Sequence, residues 1–165
     1  MRVCGIDPGL DGAMAVVEKG KLLALELLTP TLNLGLLSDW LRNNRVGLVG
    51  LEKAQAMPGQ GVSSMFTYGV GFGIIQGILC EARFPHRQIP PRQWAKWAHQ
   101  GCAAGLPKAR SLEAARRLFP EQTFLASQRS KKPHVGLIDA ALIAAYLDAT
   151  HGAEEVQPID IRRAT

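Results

Sequence analysis

Three acidic residues stand where side chains could do chemistry. The chain opens MRVCGIDPGLDGAMAVV, in which an apolar run from Val3 to Ile6 ends on Asp7. Pro8-Gly9 then turns the chain, and after Asp11-Gly12 a second apolar run covers Ala13 to Val17. Apolar runs bounded by Pro and Gly read as adjacent strands, which puts Asp7 at a strand end among glycines that let another group come close. A surface Asp starting a turn has the same local pattern. A later run, Val46–Leu51, also ends on a carboxylate, Glu52. If the two strands are neighbours, Asp7 and Glu52 lie side by side and repel, so a positive group belongs between them. A hard divalent cation such as Mg²⁺ takes oxygen ligands and meets that need; Lys53 as a plain ion-pair partner is the alternative. The third acid is Asp139, in GLIDAALIA. Ile143 and Tyr146 follow it at four and seven residues, so all three share one helix side, and a charge on an apolar stripe needs a partner. Its place near the helix start leaves a dipole or capping role open as well.

The elements that must position these acids follow in order. Leu22–Leu28 is a third apolar run after the Glu18–Lys21 turn, and three strands with short turns make an antiparallel meander. Leu32–Leu41 reads as a helix ended by Asn43-Asn44, and such a crossover lays the Val46–Leu51 strand parallel in the same sheet. Beyond a loop at 53–61, Ser63-Ser64 resembles an N-cap for a helix from about Met65 to Arg83. Gly69, Gly73 and Gly77 recur along it at four-residue spacing, with Gly71 between. Each glycine costs a helix roughly 1 kcal/mol relative to alanine. The stripe therefore predicts close packing by another element, including a second copy of the chain, unless the helix is broken there. Arg87–Ile89 reads as a last strand stopped by Pro90-Pro91. Helices are expected over Arg92–His99, with Trp94 and Trp97 as core aromatics, and over Pro107–Leu118. A polar loop covers Glu121–His134, and a final helix Gly136–Ala149. Residues 1–150 are one domain, and the tail from His151 to Thr165 is expected to be loosely held.

At 165 residues the chain supports one core. Cys4, Cys80 and Cys102 are odd in number and widely spaced, which disfavours both a disulfide framework and a zinc site. The longest apolar stretch, near Val70–Cys80, reads as too short and glycine-rich for a membrane span. No basic-then-apolar leader precedes the first strand, so a cytoplasmic location is expected. Net charge is +5, unevenly spread: from Arg83 to Lys132 eleven Lys and Arg face only Glu113 and Glu121, a local excess of +9, and the remainder nets −4. Such asymmetry points to a polyanion, nucleic acid first, although a solvated helical face has the same composition.

Taken together, GIDPG at the first strand end, VGLEK at the fourth, and GLIDAALIA late in the chain resemble the RuvC-type Holliday-junction resolvases. The likeness is to the small branch common in phages, within the ribonuclease-H-like nucleases. It covers about residues 1–149 and is strengthened by QGVSSMF, by Gln93-Trp94 after two prolines, and by PKARSLEAARRLFP. The resemblance implies an α/β ribonuclease-H-like fold: a five-stranded mixed sheet, three strands antiparallel plus two parallel, flanked by helices. It implies a homodimeric endonuclease that nicks two strands symmetrically across a four-way DNA junction and leaves ligatable 5′-phosphates. It needs no nucleotide cofactor and no membrane. Asp7, Glu52 and Asp139 would be catalytic metal ligands for two Mg²⁺ ions per active site, with Mn²⁺ as a substitute. The loop at 54–62 would approach the exchange point, with Met57 as a wedge between bases. DNA contacts are further expected from Gln60, Ser63, Arg92, Lys108, Arg110, Arg116, Arg117, Lys131 and Lys132.

The pattern departs from these resolvases at one place. They usually bring a fourth acid or a His about three residues before the last Asp, and here that position is Gly136. His134 is the catalytic candidate for that role, with Lys131 and Lys132 as competitors that would meet the phosphate as point charges. The alternatives are a nuclease of the same fold acting on flaps or branches, and a catalytically weak junction-binding homologue. An ATPase fragment of the sugar-kinase and actin type shares the strand–Asp–Gly turn, but those proteins need two such domains and leave the basic segment unexplained.

Overall fold

Antiparallel pairing of β1 (Arg2–Asp7) with β2 (Ala13–Glu18), and of β2 with β3 (Lys21–Leu27), begins the chain. In this computed structural model, residues 1–9, 11–28, 35–55, 59 and 61–151 are described. Helix α1 (Gly35–Asn43) carries the chain across to β4 (Val46–Glu52), which lies parallel to β1 on its free side. Helix α2 (Val62–Glu81) makes a second crossover to β5 (His86–Ile89), parallel to β4. The sheet order is β3-β2-β1-β4-β5, the mixed five-stranded sheet of the ribonuclease-H-like fold. Three helices follow: α3 (Pro91–Ala98), α4 (Pro107–Leu118) and α5 (Val135–Thr150).

The strand period of two divides the sheet into two cores. Cys4, Ile6, Met14, Val16, Val49 and Leu51 face α1 and α2. Val3, Ala13, Ala15, Val17 and Leu48 face α3, α4 and α5. The last helix is the central one, since ten of its residues are buried. It lies unusually close to β1: a Cβ on Gly5 would run into the backbone of Ala140 and Ala144. Glycine on the strand and alanines on the helix thus draw α5 against β1, which carries Asp139 toward the strand end that holds Asp7.

Several boundaries differ from the sequence expectation. Helix α2 begins at Val62 with Gly61 as its N-cap and no side-chain capping bond, so neither Ser63 nor Ser64 caps it; both lie inside the first turn. Gly61 in extended conformation makes the entry that the serines were expected to make. The helix is continuous through all four glycines, and it is long and apolar enough to cross a bilayer by length and composition alone. Only Ile75 and Leu79 of it are buried, in the core on its side of the sheet, and the rest of the helix is largely open. Within the polar 121–134 segment, Leu125 pairs with Pro133 and the His134 amide donates to the Phe124 carbonyl at 2.7 Å. The start of the helix expected from Leu32, the loop residues Met57 and Gln60, and the tail after His151 lie outside the described residues.

Candidate active site

Parallel pairing of Ile6 with Leu51 brings the ends of β1 and β4 together, so Asp7 and Glu52 leave the sheet side by side. Asp139 approaches from α5, just beyond its first turn. That placement answers the capping alternative, because the N-cap is His134 and no acidic residue stands in the first turn. All three carboxyls are raised above their ordinary values. Burial pushes Asp7 up; the Gly9 amide, donating to its Oδ1 at 2.9 Å, and the nearby His134 hold it back, while Asp11 adds to the rise. Burial and then the charge of Asp7 push Glu52 up to about 7, against the Trp94 indole N–H that donates to its Oε1 at 2.8 Å. Burial, then Asp7 and Glu52, push Asp139 up to about 8, and Lys108 opposes them. Tyr68, on α2, is also raised by burial and by the fields of Glu52 and Asp7, so its hydroxyl belongs to the same neighbourhood.

Three carboxyls in one low-dielectric corner are costly unless a cation joins them. Met1 and Arg2 pair with Glu18, and Arg42 with Asp39, so the three acids take part in none of these ion pairs. Lys53 does not serve either; its side chain is exposed and its amide continues the sheet by donating to Ile89. As they stand, no three His, Cys, Asp or Glu side chains among the described residues lie close enough for one ion to touch all three. The chemistry of the three acids nevertheless suits hard divalent cations: carboxylate oxygens, half-buried and mutually repelling. His134, near Asp7, adds a buried Nδ1 that has no hydrogen-bond partner among the described residues.

The fold therefore brings Asp7, Glu52, Asp139, His134 and Lys108 together. It gives Arg110 and Arg117 another task. Arg110 donates to the His99 carbonyl, and Arg117 to the carbonyls of Ala98 and Gln100, so both tie α4 to the end of α3. Ser63, Arg92, Arg116, Lys131 and Lys132 are exposed. Gly136 has a packing reason: a Cβ there would run into the Asp11 carbonyl, so the turn after β1 occupies the space a fourth side chain would need. Two site residues escaped the sequence reading. Trp94 is core, as expected, yet its N–H reaches Glu52; Tyr68 sits one α2 turn from the serines that drew attention. Neither has a local signal, since both depend on which strands pair.

No family model matches the chain, and no curated protein matches it. Solved structures do. Thermus thermophilus RuvC in complex with a Holliday junction substrate superposes with a TM-score of 0.69 at 21% identity, covering 96% of this chain and 99% of that one. A second Thermus thermophilus RuvC structure gives 0.62 at 23% identity, over 92% and 97%. At such identities the likeness establishes a shared fold.

Proposed function

We propose that the chain is a metal-dependent endodeoxyribonuclease that nicks four-way DNA junctions as a homodimer. The observation that carries this proposal is the half-buried trio Asp7, Glu52 and Asp139, delivered by three separate elements, each raised in pKa, and in none of the ion pairs Met1–Glu18, Arg2–Glu18 and Arg42–Asp39. The fold shared with a RuvC solved on a Holliday junction supports the choice of substrate. Asp7, Glu52 and Asp139 would hold the ions, with His134 beside Asp7. When bound, two divalent cations would activate the attacking water and offset charge on the leaving 3′-oxygen. Water adds to the scissile phosphorus and the P–O3′ bond breaks, leaving a 5′-phosphate and a 3′-hydroxyl. Lys108, at the α4 N-terminus, would orient a phosphate as a point charge, a role supported by its charge acting on Asp139.

The open face of α2 supports the dimer. Val62, Phe66, Val70 and Ile74 are exposed, and added Cβ atoms on Gly69, Gly73 and Gly77 would meet nothing among the described residues. A contiguous apolar face of this kind marks an interface. Substituting the acids one at a time separates binding from chemistry. Asp7→Asn, Glu52→Gln and Asp139→Asn should each bind a junction while losing cleavage by two or more orders of magnitude. Wild-type cleavage by any of them would remove that residue from the site. A junction-binding protein with weak cleavage is the second reading, favoured by Gly136, where the Asp11 carbonyl leaves no room for a fourth ligand. It predicts tight junction binding with little turnover even by the wild type.

A further inference from the structure

We propose that Trp94 is a positioning residue for Glu52, tying one carboxylate oxygen so that the other is the oxygen offered to a cation. This rests on Glu52 being a metal ligand, as proposed above. The bond is short, 2.8 Å from Nε1 to Oε1, in the range of a charge-assisted hydrogen bond. Among the described residues Glu52 accepts no other side-chain hydrogen bond, which leaves Oε2 free. Indole is a donor with no acceptor, so it can serve only an oxygen with a lone pair to give. A carboxylate fixed at Oε1 keeps one orientation as cations come and go.

The donor itself cannot swing. Trp94 is 5% exposed and packs edge-on against His99, with ring centroids 6.5 Å apart at 78°. His99 is in turn held by Ser111, Nε2 to Oγ at 3.0 Å. The backbone fixes the approach as well. Ile89 on β5 stands opposite Glu52 in the parallel ladder, and Pro90 and Pro91 start α3 at once, so Trp94 arrives on the first turn of a helix that begins beside Glu52. A buried indole whose only task was packing would be satisfied by any backbone carbonyl. Here it engages one of the three acids.

The test is Mn²⁺ binding by calorimetry on the full chain, comparing wild type, Trp94→Phe, and a chain carrying 3-benzothienylalanine at position 94. The last keeps the shape of tryptophan and lacks the N–H, so it isolates the hydrogen bond even if Trp94→Phe folds poorly. Both are expected to bind Mn²⁺ roughly 10- to 100-fold more weakly. The benzothienyl chain should also melt as the wild type does. Wild-type Mn²⁺ affinity in that chain, with Glu52→Gln weakened, would overturn the role of Trp94 alone. Wild-type affinity in Glu52→Gln as well would overturn the metal assignment of Glu52, and the role of Trp94 with it.

Discussion

At the scale of single residues, the site stores repulsion in the folded state. Glu52 is pushed from 4.5 up to about 7 and Asp139 from 3.8 up to about 8, while both ionise near their ordinary values once the chain unfolds. Between those limits the folded protein holds protons that the unfolded chain has lost, so stability falls as pH rises and levels off above the folded values. Buried His99, pushed below 6.5 by burial and then by Arg110, works in the opposite sense, but only below 6.5. Metal-free protein should therefore melt at progressively lower temperature from about pH 6.5 to 8.5. Asp139→Asn should flatten that slope, and saturating Mg²⁺ should raise the melting temperature most at the alkaline end. A slope unchanged by Asp139→Asn would mean that the carboxyl is not part of the repelling group. The three acids were legible in the sequence because each interrupts an apolar pattern at a definite place. Their surroundings were not: Trp94 lies 42 residues from Glu52 along the chain, and only the pairing of β4 with β5 makes them neighbours.

At the scale of elements, α2 is the one whose stability the monomer does not explain. Four glycines and an exposed apolar face are unfavourable for an isolated helix, yet the helix is unbroken for 20 residues. A Cβ added at Gly73 would meet nothing among the described residues and the position is exposed, so Gly73→Leu should leave the fold intact and recover roughly 1 kcal/mol of helix propensity. It should also keep a second copy from approaching closely. Analytical ultracentrifugation is expected to show two chains for the wild type and one for Gly73→Leu. Two chains for both would place the interface elsewhere. Element order and strand pairing were readable because apolar runs, prolines and glycines punctuate this chain clearly; α4 starts at Pro107 and stops at Leu118, as expected. The misplaced start of α2 has a physical cause. Ser63 and Ser64 carry the usual capping groups, but extended Gly61 makes the entry, and the Ser63 carbonyl accepts the Thr67 hydroxyl within the helix.

At the scale of the whole molecule, the basic segment between Arg83 and Lys132 divides into working and structural charges, a division that composition could not make. Arg116 is exposed, whereas Arg117 spends its guanidinium on two carbonyls at the end of α3. Arg116→Glu should weaken binding to DNA of every shape and lower the log–log salt slope by about 0.9 for each phosphate no longer neutralised, with little change in melting temperature. Arg117→Glu should in addition cost roughly 1–3 kcal/mol of stability, measured by denaturant unfolding. Equal stability of the two variants would contradict the structural role of Arg117. The most direct test of the central proposal is nick mapping. Equal-length four-way junction, flap, Y-shaped and linear duplex DNAs are incubated separately with the protein in Mg²⁺, and the cut positions are read on each strand. The account predicts paired nicks at symmetric positions on two opposing strands of the junction, 5′-phosphate ends that a ligase can seal, and no cutting by Asp7→Asn. Equal cutting of the linear duplex, or junction cutting that persists in Asp7→Asn, would contradict it.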